Sequence, residues 1–423
     1  MTATTGTGAA GTGAAGTGAA GTGAAGSIPA QPRPGGGAVE TIGELPWEDV
    51  LAQARALETR GGAPVPPGAS RLTDLPVTGP DEILSVTKTA AAGPGAVLMS
   101  SGGTTGRPKL TYVPYHQAVD RLLEQWRPLS PDSVMLNLFN PGRMWASHYY
   151  MQTFAERCRC TVIPSGPFAP DDVANWVPML KEVGVDTLCG TPTALADFAE
   201  GLLAAGETLP VTTVIWMAEP WTEAKHRVVA KALPEAGFWA NYGSVETYII
   251  GTNTPACDLQ TVHLMPDQVL ELEEKGALLT RRGTGWTMPA VRYRLGDRLA
   301  RAECRCGRPD ALRVVGRADD SVSLRSALFS VGDVMRHART FPGVEEAQLV
   351  LTRSTDDLKA ATALTLEYTG DADPEAVRAH LTAEFYHLAA VHHRFPGAIT
   401  ARRVGRLSRV ERTNKVPPAV WRD

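Results

Sequence analysis

From residue 38 onward, short runs rich in Val and Ile alternate with stretches of helical period. Ala96-Val97-Leu98-Met99, Ser133-Val134-Met135-Leu136, Cys160-Thr161-Val162-Ile163 and Thr213-Val214-Ile215-Trp216 read as strands. Asp171 to Val183 and Glu223 to Leu233 read as helices between them. Strands alternating with helices predict an α/β architecture, a large domain of sheets covered by helices. From Ser321 the order changes to a smaller α+β pattern, with helices at Gly332 to Arg339 and Pro374 to Leu388 and strands at Glu346 to Thr352 and Ala361 to Tyr368. The expected organisation is a large domain over 38–318 and a small C-terminal domain over 319–423.

The first 37 residues stand apart. Thr-Gly-Ala-Ala-Gly recurs four times in register between Thr7 and Gly26. So little side chain cannot offset its ordering entropy, and a disordered, dispensable tail is expected. In the whole chain, 43% hydrophobic and 20% charged residues rule out general disorder. A formal charge of −4 offers no basic surface for nucleic acid. No apolar run approaches the ~20 residues of a membrane helix. The N-terminus lacks the basic start and apolar core of an export signal. A cytoplasmic protein is therefore expected, and the six cysteines are not read as a disulfide framework. Cys158, Cys160 and Cys189 lie in apolar, strand-like contexts and are assigned to the core.

Chemistry concentrates in a few motifs. Ser100-Ser101-Gly102-Gly103-Thr104-Thr105-Gly106-Arg107-Pro108-Lys109 follows an apolar strand. Its glycines let backbone approach phosphate closely, its hydroxyls donate hydrogen bonds, and Lys109 adds a cation. The order is not that of a Walker loop, because Lys109 follows Pro108 and no Lys-Ser/Thr pair occurs. Downstream stand Asn241-Tyr242-Gly243-Ser244-Val245-Glu246, Arg292-Tyr293-Arg294-Leu295-Gly296-Asp297, Gly316-Arg317-Ala318-Asp319-Asp320 and Arg412-Thr413-Asn414-Lys415-Val416.

In this order the motifs resemble those of the adenylate-forming enzymes: acyl-CoA synthetases, firefly luciferase and peptide-synthetase adenylation domains. The resemblance covers about residues 45 to 423. Met217-Ala218-Glu219-Pro220-Trp221-Thr222, Pro289-Ala290-Val291 and Cys304-Arg305-Cys306-Gly307-Arg308 are similar to the phenylacetate-CoA ligase branch and to phenazine-pathway adenylating enzymes.

The resemblance implies a mobile C-terminal lid, ATP and Mg²⁺ as cofactors, and a role for each motif. The loop Ser100, Ser101, Gly102, Gly103, Thr104, Thr105, Gly106 and Lys109 would hold the β- and γ-phosphates. Glu246 would orient Mg²⁺, a hard cation suited to carboxylate oxygens. Tyr242 would lie against the adenine, with Glu219, Asn241, Gly243 and Ser244 in the same nucleotide site. Asp297 would accept both ribose hydroxyls, with Arg317 nearby. Asp319 would be the hinge. Lys415 would bridge the substrate carboxylate and an α-phosphate oxygen. Asn414 replaces the family's glycine and also tolerates a left-handed backbone. The eight cations and two acids between Arg394 and Asp423 also fit a solvated basic face. Trp145, His148, Tyr149 and Trp216 are candidates for contacting an aromatic substrate. A homodimer is compatible with this branch.

Cys257, His263, Cys304 and Cys306 form a second constellation. Three thiolates and one imidazole can complete a tetrahedral structural Zn²⁺ site, although Cys-x-Cys is tighter than the usual spacing. The chain departs from the family after the hinge, where Leu324-Arg325-Ser326-Ala327-Leu328-Phe329-Ser330-Val331 replaces the glycine-containing loop that lines the thioester tunnel. A side chain at Ser326 would obstruct a ligand passing the backbone, which leaves CoA in doubt as acceptor.

Three functions are thus compatible with the residues. The leading one is AMP-forming activation of a small aromatic carboxylate with pyrophosphate release, then transfer to CoA or another acceptor, in secondary metabolism such as antibiotic biosynthesis. The second is an ATP-dependent diazotase that activates nitrite and diazotises an aromatic amine. The third is a non-catalytic nucleotide-binding protein.

Overall fold

The computed structural model describes residues 39–80, 84, 86–88, 95–100, 110–115, 119–282, 289–325, 327–355 and 360–422. The repeated tail therefore lies outside the described residues, as do Ser101 to Lys109 and Ser326.

The centre is a nine-stranded sheet. Five of its strands are parallel, in the order Gly237–Ser244, Thr213–Trp216, Thr187–Gly190, Val134–Asn137 and Thr161–Ile163. Their side chains alternate between two covers. Leu136, Leu188 and Val214 face one apolar cluster, which includes Val177, Leu195 and Val229 from the helices Val173–Glu182, Pro192–Ala205 and Glu223–Ala232. Met135, Cys189 and Ile215, each next to one of these in its strand, face another cluster, with Leu122, Met151 and Phe154 from Val119–Gln125 and Ala146–Cys158. Period two with both faces buried is the signature of a doubly covered sheet. Cys189 is fully buried there, with Cys158 and Cys160 packed against the same cluster.

The other half of this sheet is antiparallel, through Tyr248–Asn253, Val262–Leu264, Ala311–Arg317 and Asp297–Arg301. An antiparallel four-stranded sheet, Thr41–Ile42, Gln268–Glu271, Leu278–Arg281 and Tyr293–Arg294, shares a core with it through Ile250, Val262 and Leu270. The strands Ala96–Ser100 and Leu110–Pro114 pair as an antiparallel hairpin on either side of residues 101–109. No helix among the described residues is long and apolar enough to cross a membrane.

A separate six-stranded sheet begins at Ser321–Leu324, with its own core around Val334, Leu349, Leu364 and Val377. The helix expected over Pro374 to Leu388 is divided into Pro374–Glu384 and Tyr386–Arg394. Val377, Leu381, Leu388 and Val391 keep helical spacing throughout, so the pattern gives no notice of the break. Phe385 leaves helical geometry at φ −100° and ψ 94°, and its ring meets His337 edge-on at 5.4 Å. Tertiary packing overrides local periodicity at that residue.

Candidate functional site

Four adjacent parallel strands end on one line, and the segments leaving their C-terminal ends carry the candidate residues. Val134–Asn137 leads to Phe139, Asn140 and Trp145; Thr187–Gly190 to Thr191 and Thr193; Thr213–Trp216 to Glu219; and Gly237–Ser244 ends on Asn241 to Ser244. Ligands of open α/β sheets bind in this position, because loops there can vary while the strands stay fixed.

The nucleotide candidates meet through hydrogen bonds. The Tyr242 hydroxyl donates to Asp297 Oδ2 at 2.8 Å, and Arg317 Nη1 donates to Asp297 Oδ1 at 3.2 Å. Arg317 also donates to both Asp319 oxygens, from Nε at 2.9 Å and from Nη2 at 3.2 Å. Burial and the neighbouring Asp297 carboxylate push the Tyr242 phenol well above its ordinary pKa, so it remains a donor. Gly243 is required by contact, because a Cβ there would overlap the Tyr248 carbonyl oxygen, whereas a Cβ on Gly296 would only displace the movable Arg317 guanidinium. Glu246 is buried, and Tyr293 donates to its Oε1 at 3.3 Å. Asn241 Nδ2 donates to the Tyr150 hydroxyl at 3.3 Å, and Ser244 is tied to Thr247 at 2.8 Å.

A second group gathers around Trp145. Ser100 N, at the start of the glycine-rich loop, donates to Met144 O at 2.8 Å. Arg143 and Met144 both have left-handed backbones, φ 48° and 59°, and present Trp145 at the head of its helix. Lys415 Nζ lies 5.4 Å from the centre of the Trp145 ring, within cation–π range. Burial lowers the Lys415 pKa to about 8, opposed by the Glu219 carboxylate and assisted by Arg412. Asn414 has φ 55°, the left-handed conformation its residue type tolerates. The turn closes with Asn414 N and Thr413 N donating to Val410 O and Val410 N donating to Lys415 O at 2.9 Å. His148 is buried, its Nδ1 2.6 Å from Phe139 O. Tyr149 is half-buried on the same helix. Trp216 is placed apart from these three: it packs against Trp221 at 5.9 Å in the opposite apolar cluster. Glu219 has protein partners, accepting from Thr193 N at 3.1 Å, Thr193 Oγ1 at 2.7 Å and Lys225 Nζ at 3.0 Å.

At the other end of the same sheet, Cys257, His263, Cys304 and Cys306 come together, with their ligand atoms all within 4.8 Å of one another. Pairing explains how residues some 40 apart meet. His263 stands opposite Thr252 on one neighbouring strand and Ala311 on the other, so the turn after the first strand and the turn before the second converge on it. Cys257 and Cys306 sulfurs are 3.7 Å apart, and Cys306 Sγ is 3.3 Å from His263 Nε2. His263 Nδ1 lies 2.7 Å from Pro309 O, which aims Nε2 at the sulfurs. Backbone Asp258 N donates to Cys304 Sγ at 3.3 Å, and Arg308 Nη2 to Cys257 Sγ at 3.1 Å. Asp297 opens the strand Asp297–Arg301 and Cys304 lies beyond its far end, so the strand separates this cluster from the nucleotide candidates.

The family model of the AMP-binding enzymes matches residues 48–312. The chain belongs to the AMP-binding enzyme family. Among sequence relatives, this AMP-binding enzyme is 24% identical over 204 residues to an indoleacetate–lysine synthetase of Pseudomonas savastanoi. The match covers 47% of this chain and 51% of that one, so it spans about half the relative's length. Among solved structures, 2-hydroxyisobutyryl-CoA ligase in the postadenylation state with 2-HIB-AMP is similar at 17% identity and TM-score 0.59, over 89% of this chain and 86% of that one. ATP-bound MatB from Rhodopseudomonas palustris is similar at 17% identity and TM-score 0.52, over 76% and 66%. These likenesses are to the fold.

Several residues joined to the site gave no signal in the sequence of this AMP-binding enzyme. Asp197 is buried in the helix Pro192–Ala205, with no motif around it. Arg406 and Arg409 fall in the stretch that also fits a solvated basic face, yet both reach Asp197. Lys225 and Glu346 meet across 3.8 Å from elements over 120 residues apart. Such long-range pairs have no local pattern to betray them.

Proposed function

We propose that this AMP-binding enzyme is an ATP-dependent ligase that converts a small aromatic carboxylate to its acyl-AMP. The observation that carries the reading is Lys415, half-buried with its ammonium over Trp145, the residue next to Met144, whose carbonyl accepts from Ser100 N at the start of the glycine-rich loop. A carboxylate oxygen attacks the α-phosphorus, the bond to the bridging β-phosphate oxygen breaks, and pyrophosphate leaves. Two anions must approach, so a cation contacting both is the main requirement, and its value is greatest where water is excluded. Asp297 takes the ribose hydroxyls, with Tyr242 and Arg317 fixing its two oxygens. Asp319 is proposed as the hinge of the C-terminal domain. Glu246 offers the carboxylate class of donor that Mg²⁺ takes, and the ion would neutralise phosphate charge there. The acceptor's lone pair then attacks the acyl carbon, and AMP departs with the carboxylate-derived oxygen.

Trp145, Tyr149 and the Tyr150–Tyr248 pair, whose centroids are 5.6 Å apart, favour an aromatic acid. The name of the Pseudomonas relative, an indoleacetate–lysine synthetase, supports both an aromatic carboxylate and an amine acceptor. The test is to incubate the protein with ATP and Mg²⁺ and to measure AMP and pyrophosphate, first with aryl carboxylates and then with nitrite plus an aromatic amine. Release with carboxylates is expected. Release only with nitrite and amine would replace this reading by diazotisation, and none with either would point to a non-catalytic protein.

The lowered Lys415 pKa gives a sign. The ammonium must be charged, so activity is full below the folded value and is lost as pH rises through about 8. The adenylation rate should fall about tenfold per pH unit beyond that point. In Lys415→Arg the limb should vanish, because guanidinium stays charged. An unchanged limb in that variant would assign it to another group.

The same proposal includes structural Zn²⁺ on Cys257, His263, Cys304 and Cys306. Tetrahedral zinc with bonds of about 2.3 Å spaces its sulfurs roughly 3.8 Å apart, and the Cys257–Cys306 spacing is 3.7 Å. Four protein ligands leave no open position, and the cluster is remote from the nucleotide candidates, so the role is to tie strands together.

A further inference from the structure

Asp197 lies in the helix Pro192–Ala205, ten of whose residues are buried, including Asp197 itself, which is 4% exposed. The helix is fixed at both ends. Thr191 caps it by accepting from Ala194 N at 3.1 Å, Pro192 opens the first turn, and Gly206 closes it at φ 65°. A buried carboxylate needs partners, and both come from the loop that leads to Lys415. Arg409 grips Asp197 with both terminal nitrogens, Nη2 to Oδ1 at 2.8 Å and Nη1 to Oδ2, and Arg406 Nη2 adds a bond to Oδ1 at 3.2 Å. Arg409 Nη1 also donates to Asn414 Oδ1 at 3.4 Å, which connects the clamp to the residue before Lys415. On the other side of the turn, Asn140 Nδ2 donates to Glu411 O and Arg412 O, both at 3.1 Å, and Arg412 Nη1 donates to Arg143 O at 3.1 Å.

We infer that Asp197 is a positioning residue for Lys415: through Arg406, Arg409 and Asn414 it seats the 410–415 turn so that the ammonium stands over Trp145. The inference rests on the reading of Lys415 given above. Bidentate Arg–carboxylate geometry fixes direction as well as distance, and a desolvated pair holds it against salt far better than the exposed Arg143–Glu411 pair at 2.7 Å can. An amide at position 197 keeps the size and one acceptor but loses the charge that orders two guanidinium groups. The turn would then sample positions in which Lys415 leaves the Trp145 face.

The test is pyrophosphate exchange in Asp197→Asn, Asp197→Glu, Arg409→Ala and the Asp197→Asn/Arg409→Ala double variant. A misplacement of about 1 Å costs about 10²-fold in rate, so kcat should fall by about that factor in Asp197→Asn and Arg409→Ala, with the KM for ATP little changed. The double variant should be no slower than Asp197→Asn, and Asp197→Glu should recover part of the rate. The alkaline limb should also move up from about 8 toward the ordinary lysine value, since a freed Lys415 regains water. A merely structural Asp197 would lower stability without moving that limb. Arg409→Ala, which deletes a partly exposed side chain, keeps the test open if Asp197→Asn fails to fold. Wild-type kcat and limb in Arg409→Ala, with Lys415→Ala inactive, would overturn this inference alone. Wild-type kcat in Lys415→Ala would overturn the reading of Lys415 on which it rests.

Discussion

Lys415→Ala should lower the rate of ATP–pyrophosphate exchange by roughly 10²–10³-fold, the cost of removing one preorganised charge from a developing anionic centre. The KM for ATP should change little. Only interactions stronger in the transition state than in the ground state raise kcat, and Lys415 is placed to be one of them. Its ammonium faces Trp145, where a carboxylate would meet the α-phosphate, whereas the ribose candidates Tyr242, Asp297 and Arg317 hold one another without it. Nucleotide binding, followed by fluorescence or calorimetry, should therefore survive the substitution. Lys415→Arg should retain more activity than alanine, because charge is kept, but less than lysine, because the planar fork is larger and differently shaped. Full turnover in Lys415→Ala would mean that another cation bridges the reacting groups.

The second large effect concerns stability. After exhaustive dialysis, elemental analysis should find one zinc per chain. Cys304→Ser and Cys306→Ser should each cost roughly 3–4 kcal/mol of stability, about a quarter of the ~10–16 kcal/mol that structural zinc supplies in small domains. The cluster fastens the turns after Tyr248–Asn253 and Asp297–Arg301 to the strand that carries His263. Those strands also deliver Tyr248 and Asp297 to the site, so the loss should appear first as a lower melting temperature. The folded fraction should keep near-normal exchange kinetics, because the metal lies at the far ends of these strands. Absence of stoichiometric zinc, or serine variants as stable as the parent, would reject the metal assignment.

The sequence made the covered sheet legible because short runs such as Val214-Ile215-Trp216 are apolar and helices separate them. It concealed the antiparallel half, where short strands such as Val262–Leu264 are buried entirely by their neighbours and carry little pattern of their own. Motif residues Tyr242, Asp297, Arg317 and Asp319 were visible one by one, and the structure joins them into one hydrogen-bonded group. The four metal-ligand candidates were likewise visible as residue types, but only the sheet register brings His263 between the two cysteine-bearing turns. Asp197 was illegible for a different reason. A charged residue within an apolar helix has no local mark of burial, and its partners lie 209 and 212 residues away. Glu219 was legible through its motif, while its partners Thr193 and Lys225 were not.

The central claim is that a substrate carboxylate oxygen attacks the α-phosphorus of ATP. It is tested most directly by supplying an aryl carboxylate labelled with ¹⁸O in both oxygens, letting the protein turn over with ATP, Mg²⁺ and an acceptor, and recording the mass of the nucleotide product. The account predicts AMP carrying one ¹⁸O, with unlabelled pyrophosphate. Unlabelled AMP, or ADP with label in the released phosphate, would contradict it.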